Sequence, residues 1–144
     1  MSEYEVKTDL QAEEWQLKNQ ARGHVFFSDD IKADGTDAGP NPVEYLTGAV
    51  NSCITMSAGM VVKSKQYDVH HFYLTTQATT KDLGHGKSVV DQMTINFHFE
   101  SSMSPEEQQK FVDFVLHVST VYQTVVQSVT MTININKMTI NINK

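Results

Sequence analysis

Cysteine is nearly absent from this sequence, whose 144 residues contain one, Cys53. A single thiol excludes a disulfide within the chain, and it excludes the paired-cysteine motifs that hold structural zinc. Scarce cysteine is also typical of proteins that work in a reducing compartment. The first residues are acidic and contain no apolar segment of the signal-peptide kind, so we expect a cytoplasmic protein.

Positive charge is scarce as well. The chain has 11 basic and 17 acidic residues, a net charge of −6, and only one arginine, Arg22. Without a basic cluster we expect no nucleic-acid partner and no anionic membrane partner. The six histidines show no metal-ligand spacing, and no glycine-rich phosphate motif follows a strand. We therefore expect no metal and no cofactor.

Charge is absent altogether between Glu44 and Lys63. Asn41 is suited to be an N-cap and Glu44 stands at the capping-box position, which predicts a helix from about Pro42 to about Tyr67. A helix without charge on any face is usually enclosed by protein. Its several hydroxyl and amide side chains argue against a lipid-facing span. The sequence predicts a long buried helix that carries the cysteine.

The remaining segments alternate in hydrophobicity as strands do, apart from a second helix that is predicted to begin at Ser104. The predicted strands are two within 4–28, with a turn at 21–23, and then 69–80, 89–100 and 129–136. This gives the order β-β-α-β-β-α-β, with room for one more strand at the N-terminus. The pattern predicts an α+β fold with antiparallel sheets rather than a doubly wound parallel sheet.

The C-terminus contains an internal duplication. The segment 131–137, Met-Thr-Ile-Asn-Ile-Asn-Lys, is repeated without change as 138–144. Because seven is odd, one straight strand would turn the isoleucines of the two copies to opposite faces. We therefore interpret 1–137 as a single domain and 138–144 as a duplicated tail without a functional role.

The segment Gly39-Pro40-Asn41-Pro42-x-Glu44-x-Leu46, followed by Ser52-Cys53, resembles the OsmC/Ohr family of osmotically inducible and organic hydroperoxide resistance proteins. The resemblance covers most of the chain, including an Arg-Gly-His turn before the helix and a Ser-Pro-Glu-Glu helix start after it. It implies an OsmC-like fold in which two chains intertwine as a homodimer. The long helices would be buried centrally, and the active sites would lie at the dimer interface.

The resemblance also implies a catalytic pair. Peroxidase members of the family use a cysteine on the long helix to attack alkyl hydroperoxides, and residue matching places Cys53 there. The attacking species is a thiolate, which needs a nearby cation in an otherwise apolar setting. Arg22, on the N-terminal hairpin, is the candidate cation.

Two departures from the family pattern bear on the reaction. Peroxidase members carry a second cysteine in a Cys-Pro-Val motif, and the matching segment here is Ser-Thr-Val beginning at Ser119. They also carry glutamate directly after Asn-Pro, where this chain has Val43 and then Glu44. A hydroxyl cannot form a disulfide. Any turnover at Cys53 would therefore depend on an external thiol reductant.

Four further residues form a candidate substrate-binding set. Met56 and Met60 share the helix face of Cys53 at i+3 and i+7, and the resemblance adds Glu44 and Ser119. Each has a simpler interpretation, as core methionine, helix cap or ordinary helical serine. Two functions stay open. One is reduction of organic hydroperoxides by a single cysteine, and the alternative is a non-enzymatic OsmC-fold dimer that binds a small apolar ligand at its interface.

Overall fold

The computed structural model describes residues 1–136. Three helices and six strands follow one another in this part of the chain: β1 (Lys7–Leu10), β2 (Leu17–Ala21), β3 (His24–Ser28), α1 (Pro42–Lys65), β4 (His70–Gly84), β5 (Lys87–Glu100), α2 (Pro105–His117), α3 (Thr120–Val125) and β6 (Thr130–Ile135). The chain divides into two compact units, and the boundary between them follows Leu46, within α1. The predicted tail 138–144 lies outside the described residues.

The first unit contains an antiparallel sheet in the order β1-β2-β3. The turn between β2 and β3 consists of Arg22 and Gly23, both with positive φ (51° and 84°). Two consecutive left-handed residues make the tight turn that suits the twist of a hairpin. The predicted turn is confirmed, and β1 is the additional N-terminal strand. Trp15 lies in the connection between β1 and β2, with φ of 63°, and not in a strand.

A buried aspartate organises the loop before α1. The Asp29 carboxylate accepts hydrogen bonds from Lys32 Nζ at 2.7 Å and from the Ala38 N–H at 2.9 Å. The bond from Lys32 is the main reason that the pKa of Asp29 lies below its ordinary value. Gly39 is required at the end of the loop, because a Cβ there would lie 2.3 Å from the Phe27 carbonyl oxygen. These contacts fix the conformation of the loop that leads from β3 to the start of α1.

Helix α1 begins with the predicted capping box. Asn41 Oδ1 accepts the Glu44 N–H and a Glu44 carboxylate oxygen accepts the Asn41 N–H, both at 2.9 Å. Only one face of the helix is buried, and it consists of Val50, Ile54, Ser57, Ala58 and Val61. The expectation that the helix is enclosed on every side is therefore not met within one chain.

The length and apolar character of α1 also meet the criteria for a membrane-spanning helix. Its mean hydropathy reaches 1.2 over 18 residues, and 33% of that stretch is buried. Core helices of soluble proteins meet the same criteria. The absence of a membrane partner thus stays an expectation from the sequence.

The second unit contains a sheet in the order β4-β5-β6. Strands β4 and β5 form a long antiparallel hairpin closed at His85 and Gly86. Strand β6 runs parallel to β5, with Met93 opposite Met131 and Phe97 opposite Ile135. This sheet is mixed and not purely antiparallel, because the connection through α2 and α3 returns the chain to the end from which β5 started.

The hydrophobic core lies between the inner face of this sheet and the helices. Alternate residues of β5, namely Met93, Ile95, Phe97 and Phe99, are buried, which confirms the predicted alternation. They pack with the buried face of α1 and with Phe111, Val112 and Val115 of α2. Helix α2 begins as predicted, with Ser104 Oγ accepting the Glu107 N–H. The six-residue α3 was not predicted, since it is shorter than the window over which helical periodicity can be detected.

Candidate functional site

Cys53 lies in the middle of α1, half-buried, on the helix next to the fully buried Ile54. Its Sγ accepts a hydrogen bond from the backbone N–H of Val121, with a nitrogen–sulfur distance of 3.4 Å. Sulfur acceptors form longer hydrogen bonds than oxygen acceptors because the sulfur atom is larger. The contact joins two positions that are 68 residues apart in the chain.

The donor belongs to the first turn of α3, which begins at Thr120. The N–H groups of a first helical turn have no carbonyl partner in their own helix, so they require an acceptor elsewhere. For Val121 this acceptor is the cysteine sulfur. A backbone donor aimed at sulfur favours negative charge on it, since hydrogen bonding to the charged form of an acid stabilises that form.

Ser119 directly precedes this turn and is completely buried. Its hydroxyl donates to the Val115 carbonyl oxygen at 2.7 Å. The Ser119 side chain therefore provides a hydrogen-bond donor to a carbonyl group in the last turn of α2 and does not cap the start of α3. The structure brings the predicted residues Cys53 and Ser119 into one region, because Val121, whose N–H contacts Cys53 Sγ, lies only two residues after Ser119.

Met56 and Met60 are strongly exposed, each with 72% of its surface accessible. They follow Cys53 at i+3 and i+7, so the three side chains share one side of α1. The interpretation of these methionines as core residues of a single chain is wrong. They instead give α1 an exposed apolar face beside the cysteine.

The other two predicted residues belong to the first unit. Glu44 is exposed and its carboxylate is engaged in the capping box. It also lines a surface cleft of about 400 Å³ whose other lining residues are both acidic and apolar, among them Asp30, Ile31 and Pro40. Arg22 is exposed at the tip of the β2–β3 hairpin. Its pairing with Cys53 stays a prediction.

Among residues 1–136, no group of three or more histidine, cysteine, aspartate or glutamate side chains is arranged to hold a metal ion. The donor that sequence reasoning missed is the N–H of Val121. A backbone donor leaves no side-chain signature, so only the matching of Ser119 to the family's second cysteine indicated that this segment approaches the helix.

A family model described as OsmC-like protein matches residues 35–134. The chain belongs to this family. The OsmC-like match includes Cys53, the α2–α3 segment and most of β6. It confirms the family indicated by the resemblance.

Solved structures share the fold at low sequence identity. An OsmC-like protein from Mycoplasma pneumoniae is 15% identical, with a TM-score of 0.83, and the match covers 94% of this chain and 96% of that chain. An organic hydroperoxide resistance protein OsmC from Legionella pneumophila is 9% identical, with a TM-score of 0.75 and coverage of 94% and 98%. The organic hydroperoxide resistance protein OhrB of Bacillus subtilis is 13% identical, with a TM-score of 0.68 and the same coverage.

No curated protein matches the sequence significantly. At these identities the likeness to solved structures establishes the OsmC-like fold alone. It carries no residue role and no substrate to this chain.

Proposed function

We propose that this OsmC-like protein is a single-cysteine thiol peroxidase that reduces small organic hydroperoxides in the cytoplasm. The observation that carries the proposal is the Val121 N–H directed at Cys53 Sγ, because it stabilises the charge of an attacking thiolate. Cys53 is half-buried and not fully enclosed by its own chain, which is compatible with access by a small substrate. Two of the structural relatives are named organic hydroperoxide resistance proteins, which supports the substrate class.

The reaction begins when the Cys53 thiolate attacks one oxygen of the hydroperoxide. A sulfur–oxygen bond forms, the oxygen–oxygen bond breaks, and the organic part leaves as an alcohol after taking a proton from solvent. Sulfur is oxidised by two electrons to sulfenic acid and the peroxide is reduced by the same two electrons. Since no second cysteine exists in the chain, two equivalents of an external thiol restore Cys53 and leave as a disulfide.

The dimer is part of the proposal. An exposed apolar face around Met56 and Met60 is a liability on a free monomer, and a second copy of the chain would cover it. In this assembly Arg22 of the exposed hairpin supplies the positive group near Cys53, and Met56, Met60, Glu44 and Ser119 are the candidate substrate-binding residues. The roles of Arg22, Glu44 and Ser119 come from the family resemblance, and those of Met56 and Met60 from their position on the helix face of Cys53.

The direct test follows the consumption of tert-butyl hydroperoxide with and without dithiothreitol or dihydrolipoamide. We expect thiol-dependent turnover that is lost in Cys53→Ser. We further expect Arg22→Ala to lower the rate by about tenfold, which corresponds to about 1.4 kcal/mol of lost charge stabilisation. Lys18→Ala, which removes another positive charge of the same sheet, is the matched control. Equal rates for the wild-type protein and Cys53→Ser would eliminate the proposal.

The exposed methionines also support the second candidate, a non-enzymatic dimer that holds a small apolar molecule with Cys53 as part of the lining. Alkylation by iodoacetamide at about pH 6 distinguishes the two, because only an ionised thiol reacts quickly there. Rapid labelling of Cys53 supports the peroxidase. Slow labelling, together with binding of an apolar fluorescent probe, supports the binding protein.

A further inference from the structure

The proposed reaction leaves an oxidised sulfur that has no neighbouring thiol. The residue matched to the family's second cysteine is Ser119, whose hydroxyl is buried and already donates to the Val115 carbonyl oxygen. A hydroxyl is also a poor partner for sulfenic acid. The next reactive atom in this segment is therefore the one that touches the sulfur, the backbone nitrogen of Val121.

That contact holds the two reacting atoms side by side. The Val121 nitrogen lies 3.4 Å from Cys53 Sγ with its N–H directed at the sulfur. This N–H is held in the first turn of α3, where it has no intrahelical acceptor, so a bond to sulfur would break no helical hydrogen bond. The Ser119 carbonyl oxygen accepts a hydrogen bond from the Gln123 N–H, four residues further on, which holds the turn around Val121.

We propose that oxidised Cys53 forms a covalent sulfur–nitrogen bond to the backbone nitrogen of Val121. This inference rests on the proposed function, since the hydroperoxide is the oxidant that makes the sulfenic acid. In the second step the nitrogen attacks the sulfur of the sulfenic acid, the sulfur–nitrogen bond forms, and the sulfur–oxygen bond breaks. The hydroxyl group and the amide proton leave together as water, with no further change in oxidation level. The product is a sulfenamide, a known condensation product of sulfenic acids.

The cross-link would serve the function of the missing second cysteine. It protects the sulfur from further oxidation to sulfinic and sulfonic acids, which thiols do not reverse. It also stays reducible: an external thiol attacks the sulfur, the sulfur–nitrogen bond breaks, and the nitrogen recovers its proton. A second thiol then releases Cys53 and leaves as a disulfide with the first.

Intact-protein mass spectrometry tests this directly, because the chain has one cysteine and cannot form an internal disulfide. After one equivalent of tert-butyl hydroperoxide we expect a species about 2 Da lighter than the reduced protein, whereas a sulfenic acid is about 16 Da heavier. Tandem spectra of the digested wild-type protein should join the peptide of Cys53 to that of Val121. Dithiothreitol should return the original mass.

Two proline variants provide a matched pair. Val121→Pro removes the reacting N–H. We expect this variant to form the sulfenic acid without the cross-link, and the unprotected sulfur then to be oxidised further to sulfinic and sulfonic acids. Thr120→Pro places the proline one residue earlier, where the extended backbone of Ser119 accepts it and the Val121 N–H is retained. It should form the lighter species as the wild type does. Far-UV circular dichroism verifies that both variants are folded, and the wild-type peptide map does not depend on either.

The possible outcomes distinguish failure of the cross-link from failure of the proposed peroxidase function. If wild-type Cys53 is oxidised to species heavier than the reduced protein and the lighter, cross-linked species does not form, the cross-link is overturned but the proposed peroxidase function is not. The lighter species forming equally in Val121→Pro also overturns the cross-link. No mass change at Cys53 under hydroperoxide overturns the proposed function itself.

Discussion

Cys53 and Val121 show how much of this site depends on main-chain atoms. The donor to the sulfur is a backbone N–H, so the contact requires only that position 121 is not proline, while the Val121 side chain packs against the core. The neighbouring Ser119 is constrained differently, because its hydroxyl serves the Val115 carbonyl oxygen in a fully buried position. Position 119 is therefore where the chemistry of the site can be changed with the smallest change in shape.

Ser119→Cys should restore a two-cysteine reaction. The substitution keeps the size of the side chain and places a second thiol in the segment that contacts Cys53. It replaces the hydrogen bond from the Ser119 hydroxyl to the Val115 carbonyl oxygen with a weaker one from a thiol, which lowers the free energy of unfolding by about 1 kcal/mol. After hydroperoxide treatment we expect a disulfide between positions 53 and 119, visible in a non-reducing peptide map. Thr124→Cys, exposed on α3, is the control that should stay reduced.

Asp68 links the start of β4 to the loop after β5. Its carboxylate accepts the Ser102 N–H and hydroxyl and contacts His70 Nε2 at 2.8 Å. These bonds, with the Ser102 hydroxyl foremost, lower the pKa of Asp68 from 3.8 to about 2. A lowered folded-state pKa means that the stabilisation is present above the unfolded value and is lost as the pH falls toward about 2.

We therefore expect Asp68→Asn to lower the melting temperature at neutral pH. The difference from the wild type should shrink between about pH 4 and about pH 2, where the wild-type carboxylate becomes protonated. Thermal unfolding followed by circular dichroism across this range is the measurement. Asp113→Asn, on the exposed side of α2, removes the same charge elsewhere and is the matched control. A constant difference across the range would contradict the assignment.

At the scale of elements, the start of α1 joins the first unit to the helix that carries Cys53. The reciprocal bonds between Asn41 and Glu44 satisfy two of the N–H groups that a helix start leaves free. Tyr45 OH adds a hydrogen bond to the Phe27 carbonyl oxygen. Glu44 thus has a structural role that accounts for its presence without any substrate.

Two substitutions of Glu44 separate the cap from a substrate-binding role. Glu44→Gln keeps an oxygen that can accept the Asn41 N–H, whereas Glu44→Ala loses it and should destabilise the protein by about 1 kcal/mol. We expect Glu44→Gln to retain the hydroperoxide rate. A large loss of rate in Glu44→Gln, with unfolding unchanged in urea, would instead place the carboxylate in the substrate site.

For the whole molecule, the decisive feature is the uncovered side of α1. Buried residues line one side of the helix, while Met56 and Met60 project from another with most of their surface accessible. Such a surface is unfavourable in water, since burial of apolar area contributes roughly 25 cal/mol per Å². Association of two chains through this face is the expected consequence.

Met60→Asp should convert the protein from a dimer to a monomer. A charge placed on the apolar face cannot be buried without a partner, so the association becomes unfavourable. Light scattering after size exclusion should fall from about twice the chain mass to 16.2 kDa. Gln77→Asp, on the exposed side of β4, introduces the same charge elsewhere and should stay dimeric. Unchanged mass in Met60→Asp would contradict this assignment of the interface.

The secondary structure was largely predictable because its signals are local. The capping residues Asn41 and Ser104 mark two helix starts, and the strict alternation of β5 separates its inner from its outer face. Two features were missed for different reasons. The helix α3 is too short for a periodic signal, and the parallel pairing of β6 with β5 depends on contacts between distant parts of the chain.

Some features of the candidate site could be read from the sequence, and others became known only from the tertiary structure. The sequence by itself determined that Cys53 is the one thiol and that it lies on a long uncharged helix, because these are facts of composition and spacing, while the family resemblance matched Ser119 to a second cysteine. Only the tertiary structure decided that the Val121 N–H meets the sulfur and that Met56 and Met60 are uncovered. The physical reason is that a backbone donor and an exposed face are set by how elements pack, which no local pattern of side chains records.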